Sequence, residues 1–340
     1  MRSEVDNASQ QNPKTGLPQP SDLFSQAEQC LSEDRFTEAL SLYDQAAVLA
    51  PAEALLYERR AHALLAVEGP ASAFVDVRTA LSLARRQGLD LRPLSAWSQT
   101  LKEQLPAEVA LQTASRAVDN CHRLLCWGAS RAVEEICGSL LLCFDPYKPL
   151  FQFVLGVCKL SRQRWDQAVQ DLGQAAKSLP TLWPAAYACG VALLRIDDLE
   201  GADRAFAHTQ QMLDQGQTGF VYSAAEDFLA FVPGARFSAR GLLFARARVL
   251  FDLGRPTESV SVLNQLIDRE PDAADAFLSL ASIYVSCEQF SLALAALDQA
   301  EQTLRPEDRT HEAEDPLPRI HKLRTQCASA LAAKNEAGRS

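Results

Sequence analysis

Residues 151–180 read FQFVLGVCKLSRQRWDQAVQDLGQAAKSLP, and this stretch decides the fold. Leu155 and Gly156 lie on an apolar stripe at helical spacing, and residues 161–164 (SRQR) make a short polar turn. Trp165 then opens a second stripe, continued by Ala168, Leu172 and Ala175, and Pro180 ends it. Small residues at 156, 168 and 175 allow two antiparallel helices to approach closely, while Trp165 and Leu172 fill the space beside them. The predicted unit is a helical hairpin. A single hairpin cannot bury its own apolar face, so neighbours must stack against it.

The same pattern recurs at 34 residues in both directions. Small residues pair at that offset (Ala27 and Ala61, Ala39 and Ala73, Ala46 and Ala80, Gly156 and Gly190, Ala168 and Ala202, Ala247 and Ala281). Larger residues obey it too: Pro146 and Pro180, Trp165 and Leu199, Leu172 and Phe206, Leu263 and Leu297. Ala is the commonest residue, the other strong helix formers follow, and alternating β-branched runs are scarce, so the chain is expected to be all-helical.

The residues of this period resemble the tetratricopeptide repeat, a 34-residue helix-turn-helix with a large residue, Leu-Gly, Tyr, Ala, an aromatic, Ala and a closing Pro. Ala27, Phe36, Ala39, Tyr43, Ala46 and Pro51 carry the resemblance in the first unit; Tyr57, Ala61, Ala73 and Ala80 carry it in the second, where Arg85 replaces the Pro. Units follow at 147–180 and through Tyr187, Gly190, Leu199, Ala202 and Phe206. Two more run through Ala247, Gly254, Leu263 and Pro271, and through Phe277, Ala281, Tyr284, Phe290, Ala293, Leu297 and Ala300. The resemblance implies an all-α fold, an α-α superhelix or solenoid of about seven hairpins with insertions.

The expected organisation has two units at 21–87, irregular helices and a diverged unit at 88–146, and two units at 147–216. An inserted helix and loop at 217–239 and two units at 240–305 come next, then an acidic loop and C-terminal capping helix at 306–340. Residues 1–20, with three prolines and no apolar period, are expected to be disordered. The extra pieces at 88–104 and 219–231 are expected to bend the solenoid or cover its groove. The region 107–144 reads as two helices, 107–127 and 130–144.

Composition narrows the function classes. The 340 residues carry 33 basic and 43 acidic side chains, a net charge of −10, which disfavours nucleic-acid binding. No apolar run is long enough to span a bilayer, and the N-terminus has no basic end followed by an apolar core. A cytoplasmic or nuclear chain is therefore expected. The nine cysteines form no CxxC pair and read as small buried hydrophobes, including Cys121, Cys126, Cys137 and Cys143 beside His122. No phosphate loop, GxGxxG, HExxH or GxSxG occurs, so no catalytic residue, cofactor or metal is assigned.

A superhelix of such hairpins lines its concave face with the first helix of each unit, a surface suited to peptides or partner helices. Counting from the Gly/Ala reference position gives Phe24 and Glu28, then Glu58, Arg59 and His62, then Phe153, Val154 and Val157, then Tyr187, Val191 and Arg195, then Phe244, Arg248 and Phe251, and in the last unit Leu278, Ser282 and Val285. Two readings stay open. Either these residues form a groove of apolar anchors and arginines for a partner with apolar and acidic side chains, or the aromatic ones fill inter-repeat core and lie under the extra helix near Phe228.

A branch of the family clamps chaperone C-terminal carboxylates. Its positions correspond here to Phe24, Glu28 and Arg59, and Glu28 would repel the ligand, although Arg59 and Arg60 retain local positive charge. The expected function is a non-catalytic scaffold or adaptor with a protein partner. The alternatives are a homo-oligomer acting as a structural subunit, and a diverged enzyme-associated regulator with its site in 105–146.

Overall fold

The computed structural model describes residues 19–106, 109, 111–216, 223–233, 237–304 and 316–337, and every regular element among them is helical. The fold is all-α and built of helical hairpins, in two compact units, Met1–Asp145 and Pro146–Ser340.

Unit 1 contains α1 (Pro20–Ser32), α2 (Phe36–Leu49), α3 (Ala54–Val67), α4 (Pro70–Gln87), α5 (Arg92–Glu103), α6 (Leu111–Cys126) and α7 (Ser130–Leu140). The pairs α1/α2, α3/α4 and α6/α7 are hairpins, and α5 lies on α4 between the second and third. Unit 2 contains α8 (Lys148–Ser161), α9 (Trp165–Ser178), α10 (Trp183–Arg195), α11 (Leu199–Asp214), a 3-10 segment (Ser223–Phe231), α12 (Ala239–Asp252), α13 (Pro256–Arg269), α14 (Ala274–Ser286), α15 (Phe290–Thr303) and α16 (Leu317–Ala337). Its hairpins are α8/α9, α10/α11, α12/α13 and α14/α15, with α16 on α15 and α14.

Several boundaries differ from the sequence expectation. Helix α1 begins at Pro20, inside the stretch expected to be disordered, because proline suits the first helical turn, where no N–H is needed. Residues 1–18 and the acidic loop at 305–315 lie outside the described residues. The two helices expected at 107–127 and 130–144 are shorter, Leu111–Cys126 and Ser130–Leu140.

Six hairpins turn in the same way. A residue with positive φ, at Asp34, Gly128, Gln163, Asp197, Gly254 or Glu288, ends the first helix. The next N–H then reaches back five residues: Arg35 to Cys30 O at 2.9 Å, Ala129 to Leu124 O at 2.8 Å, Arg164 to Lys159 O at 3.0 Å, Asp198 to Leu193 O at 3.0 Å, Arg255 to Leu250 O at 2.8 Å and Gln289 to Tyr284 O at 2.8 Å. This is the six-to-one bond of the Schellman turn, which satisfies an orphan carbonyl and reverses the chain in few residues.

Inside the hairpins, the small residue of the first helix receives a large residue of the second. A methyl group built on Gly156 would stand 2.5 Å from Leu172 Cγ, and one on Gly190 would stand 2.6 Å from Phe206 Cε1. Ala247 and Leu263, like Ala281 and Leu297, occupy the same positions and are buried. We therefore expect Gly156→Ala to destabilise the chain by about 1–3 kcal/mol through overpacking, outweighing the ~1 kcal/mol that alanine gains in helix propensity. A urea-unfolding midpoint at or above that of the wild type would show that Leu172 yields freely.

Among the described residues, no helix is long and apolar enough to cross a membrane.

Candidate functional site

The predicted groove residues fall into separate environments. In unit 1, Arg59 on α3 is half exposed and pairs with Glu28 on α1, Nε to Oε2 at 3.7 Å; Glu28 also accepts a hydrogen bond from the Tyr43 hydroxyl. The neighbouring Arg60, expected to add exposed positive charge, is instead fully buried and bidentate on Asp76. His62 is stacked on Trp97 of α5, ring centroids 4.3 Å apart. Burial, and then the Arg59 charge, lower its pKa below the usual histidine value. Helix α5 thus reaches the predicted groove at His62, which stays exposed beside it.

In unit 2 the corrections are sharper. Phe153 and Val157 on α8 are buried, 1% and 0% exposed, and cannot meet a partner. The Ser223–Phe231 segment packs on α8 and α10, with the Phe228 ring edge-to-face on Phe153 at 5.8 Å. Tyr187 on α10 sits between Phe206, at 5.9 Å, and Phe237, at 4.8 Å; burial pushes its phenol pKa up. These three side chains are core and cover, because the inserted segment supplies apolar residues over the first helices. Arg195 is exposed at the end of α10, its guanidinium 5.7 Å from the Trp165 ring centroid.

Phe244 and Arg248 remain, and the structure brings them together. They lie one helical turn apart on α12, with Phe251 a further three residues on, all facing a hollow of about 330 Å³. Opposite stand Ser279, Ser282 and Ile283 of α14. The floor is Ala247 and Leu263, the small-large pair of the hairpin core. Arg319 of α16 closes one side and donates to Ser282 Oγ at 3.2 Å. The Arg248 side chain is 85% exposed and touches Asp252 only at 3.7 Å, so its charge is held loosely. By contrast, Arg240 above the Phe244 ring, at 5.8 Å, is taken up by Glu270 at 2.9 Å and by Asp275.

Among the described residues, no carboxylate lines this hollow. Two half-buried aromatic rings with two arginines can hold an apolar side chain and an adjacent carboxylate.

Sequence reasoning missed Arg319. It assigned α16 a capping role with its basic residues in water, whereas Ile320 and Cys327 bury one face and aim Arg319 back over α14. The apolar spacing of Leu317, Ile320 and Leu323 was the available signal.

The cysteine region shows buried thiols in contact, Cys121 Sγ and Cys137 Sγ at 3.7 Å, while Cys126 is exposed. Among the described residues, no group of three or more His, Cys, Asp or Glu is placed to hold a metal.

Residues 244–309, which include most of this hollow, match the tetratricopeptide repeat family. No curated protein matches the chain in sequence. Among solved structures the chain is similar to MamA, at 14% identity over 53% of this chain and 92% of that one, with a TM-score of 0.42. It is similar to the TPR2AB domain of yeast Sti1 in complex with pHSP90, at 16% identity over 91% and 98% of the two chains, with a TM-score of 0.31. A third likeness is to the APC/C hetero-tetramer Cut9-Hcn1, at 13% identity over 90% of this chain and 55% of that one, with a TM-score of 0.38. These likenesses, all below a TM-score of 0.5, carry nothing about function. The family match thus places a tetratricopeptide repeat at 244–309, and most of the hairpins before it share its helix-turn-helix form and its turn.

Proposed function

We propose that the chain is a non-catalytic interaction scaffold that holds a partner protein's peptide segment in the hollow between α12, α14 and α16. The observation that carries this reading is the grouping of Phe244, Arg248, Phe251 and Arg319 around one concavity that no carboxylate among the described residues lines. The matching ligand is an extended or helical segment with an apolar side chain for the Phe244–Phe251 wall and an acidic one for the arginines. Tetratricopeptide hairpins support the class of function, and their fold alone names no partner.

Affinity purification with wild-type chain and with Arg248→Glu or Phe251→Ala, followed by mass spectrometry, tests the reading. At least one partner should be retained by the wild type and weakened about tenfold or more by either substitution, a loss of about 1.4 kcal/mol, with helicity by circular dichroism unchanged. Identical partner lists from all three proteins would remove the hollow from the function.

A further inference from the structure

A larger hollow, about 750 Å³, opens in unit 1 between α4, α5 and the turn after α7. Its lining carries Arg78, Arg92 and Lys102 and, among the described residues, no carboxylate, in a chain whose net charge is −10. Arg92 is neutralised by Asp90 at 2.9 Å. Arg78 donates through Nε to the neutral Ser139 hydroxyl at 3.0 Å, and Glu135 on the same face of α7 is already held by Arg85 at 2.8 Å. Among the described residues, neither Arg78 nor Lys102 stands within ion-pairing distance of a carboxylate. Two cationic charges therefore face the hollow without an ion-pair partner among the described residues.

Arg78 is half-buried, and its desolvation, followed by the like charge of Arg85, pulls its pKa below the usual guanidinium value. A cation in that condition gains more from an incoming anion than one already in water. A single carboxylate would balance one of the two charges. A phosphomonoester carries about −1.5 to −2 at neutral pH and offers three acceptor oxygens, which matches both. The hollow is also too large for a phosphate alone, being within the roughly 300–1,000 Å³ of pockets that enclose whole ligands. Leu142, 81% exposed, provides an apolar surface beside the cations.

We propose that this hollow binds a phosphorylated side chain of a partner peptide, with Arg78 and Lys102 on the phosphate and Leu142 against an apolar neighbour of the phosphorylated residue. The site is on a different unit from the α12–α14 hollow and takes a different ligand chemistry, so either can fail alone.

The test uses the full chain and two fluorescent degenerate peptide pools, one centred on phosphoserine and one on serine, read by fluorescence polarisation. The phosphorylated pool should bind at least about tenfold more tightly. Arg78→Gln and Lys102→Gln should each remove most of that preference, whereas Arg248→Glu should leave it intact. Lys102 is exposed, so its variant folds even if Arg78→Gln does not, and circular dichroism separates the cases. Equal binding of the two pools, or a preference that survives Lys102→Gln, would overturn the proposal. Competition by inorganic phosphate as strong as by the phosphorylated pool would assign the hollow to a free anion. Tighter binding to vesicles containing phosphoinositide would assign it to a lipid surface, and either result would also overturn the peptide reading.

Discussion

Arg60→Ala is expected to lower the stability of the chain by about 3–5 kcal/mol, the cost of leaving a buried charge without its partner. Arg60 is fully buried on α3, with Nε and Nη2 on the Asp76 carboxylate of α4 at 2.6 and 2.9 Å. Nη1 reaches Asp44 of α2 at 2.8 Å, and Nη2 also reaches Asn120 of α6 at 2.9 Å. Asn120 in turn donates to Asp76 at 2.9 Å, and the guanidinium lies 5.1 Å from the Tyr57 ring centroid. Four helices of unit 1 therefore meet on one side chain. Burial works against its charge, but Asp76 and Asp44 outweigh it and the guanidinium pKa ends above its ordinary value.

Removing Arg60 leaves Asp76, itself 0% exposed, as a lone buried carboxylate. Asp76 should then protonate or draw in water, with loosening of α3, α4 and α6 together. Urea unfolding followed by circular dichroism measures the loss. The pair Arg60→Met with Asp76→Leu should recover part of it, because an apolar replacement of both charges has no stranded ion. If Arg60→Ala unfolds at the wild-type midpoint, the network contributes no net stability.

Phe206→Ala should cost a similar amount, about 3–5 kcal/mol, by opening a cavity in unit 2. The ring is fully buried on α11 and occupies the space above Gly190 of α10. It is also the contact through which Tyr187 packs. The two positions should be coupled. Gly190→Ala in the wild-type background drives a methyl group into the ring, whereas in the Phe206→Ala background the methyl group enters vacated space. A double-mutant cycle should show the pair to be less destabilising than the sum of the singles by about 0.5–3 kcal/mol. Additive values would mean that the helices separate rather than hold their spacing.

Both substitutions concern the same architecture, but only the second was legible in the sequence. Gly190 and Phe206 stand at the offsets of Gly156 and Leu172, so the period itself pairs a small residue with a large one. Arg60 follows Arg59 on a helix and reads as surface charge; its partners lie 16 residues away at Asp44 and Asp76 and 60 away at Asn120. The shared turn was half visible. Gly128 and Gly254 are ordinary turn glycines, but Asp34, Gln163, Asp197 and Glu288 adopt the same positive φ without glycine's freedom.

The site shows the same division. Phe244 and Arg248 were read from spacing and face one hollow, because α12 and α14 are regular hairpin helices and, among the described residues, only α16 flanks the hollow on one side. Phe153, Val157 and Tyr187 obey the same spacing and lie in core or under the inserted segment, the second of the two readings. The segments that reach such positions, α5 and Ser223–Phe231, lie outside the 34-residue period, and periodicity cannot tell which face an aperiodic segment will occupy.

What the sequence by itself determined is the repeating unit: helix lengths, the small-large pairing inside each hairpin, and the need of every hairpin for a neighbour. These are local consequences of composition and of 3.6-residue spacing, and they repeat because the chain repeats. Tertiary structure alone decided which faces stay open, that Arg60 is an internal tie and Arg319 a wall of the α12–α14 hollow, and that Arg78 and Lys102 share an acid-free hollow. Those outcomes depend on contacts between residues far apart in the chain, where burial and charge pairing rather than local propensity set the energy.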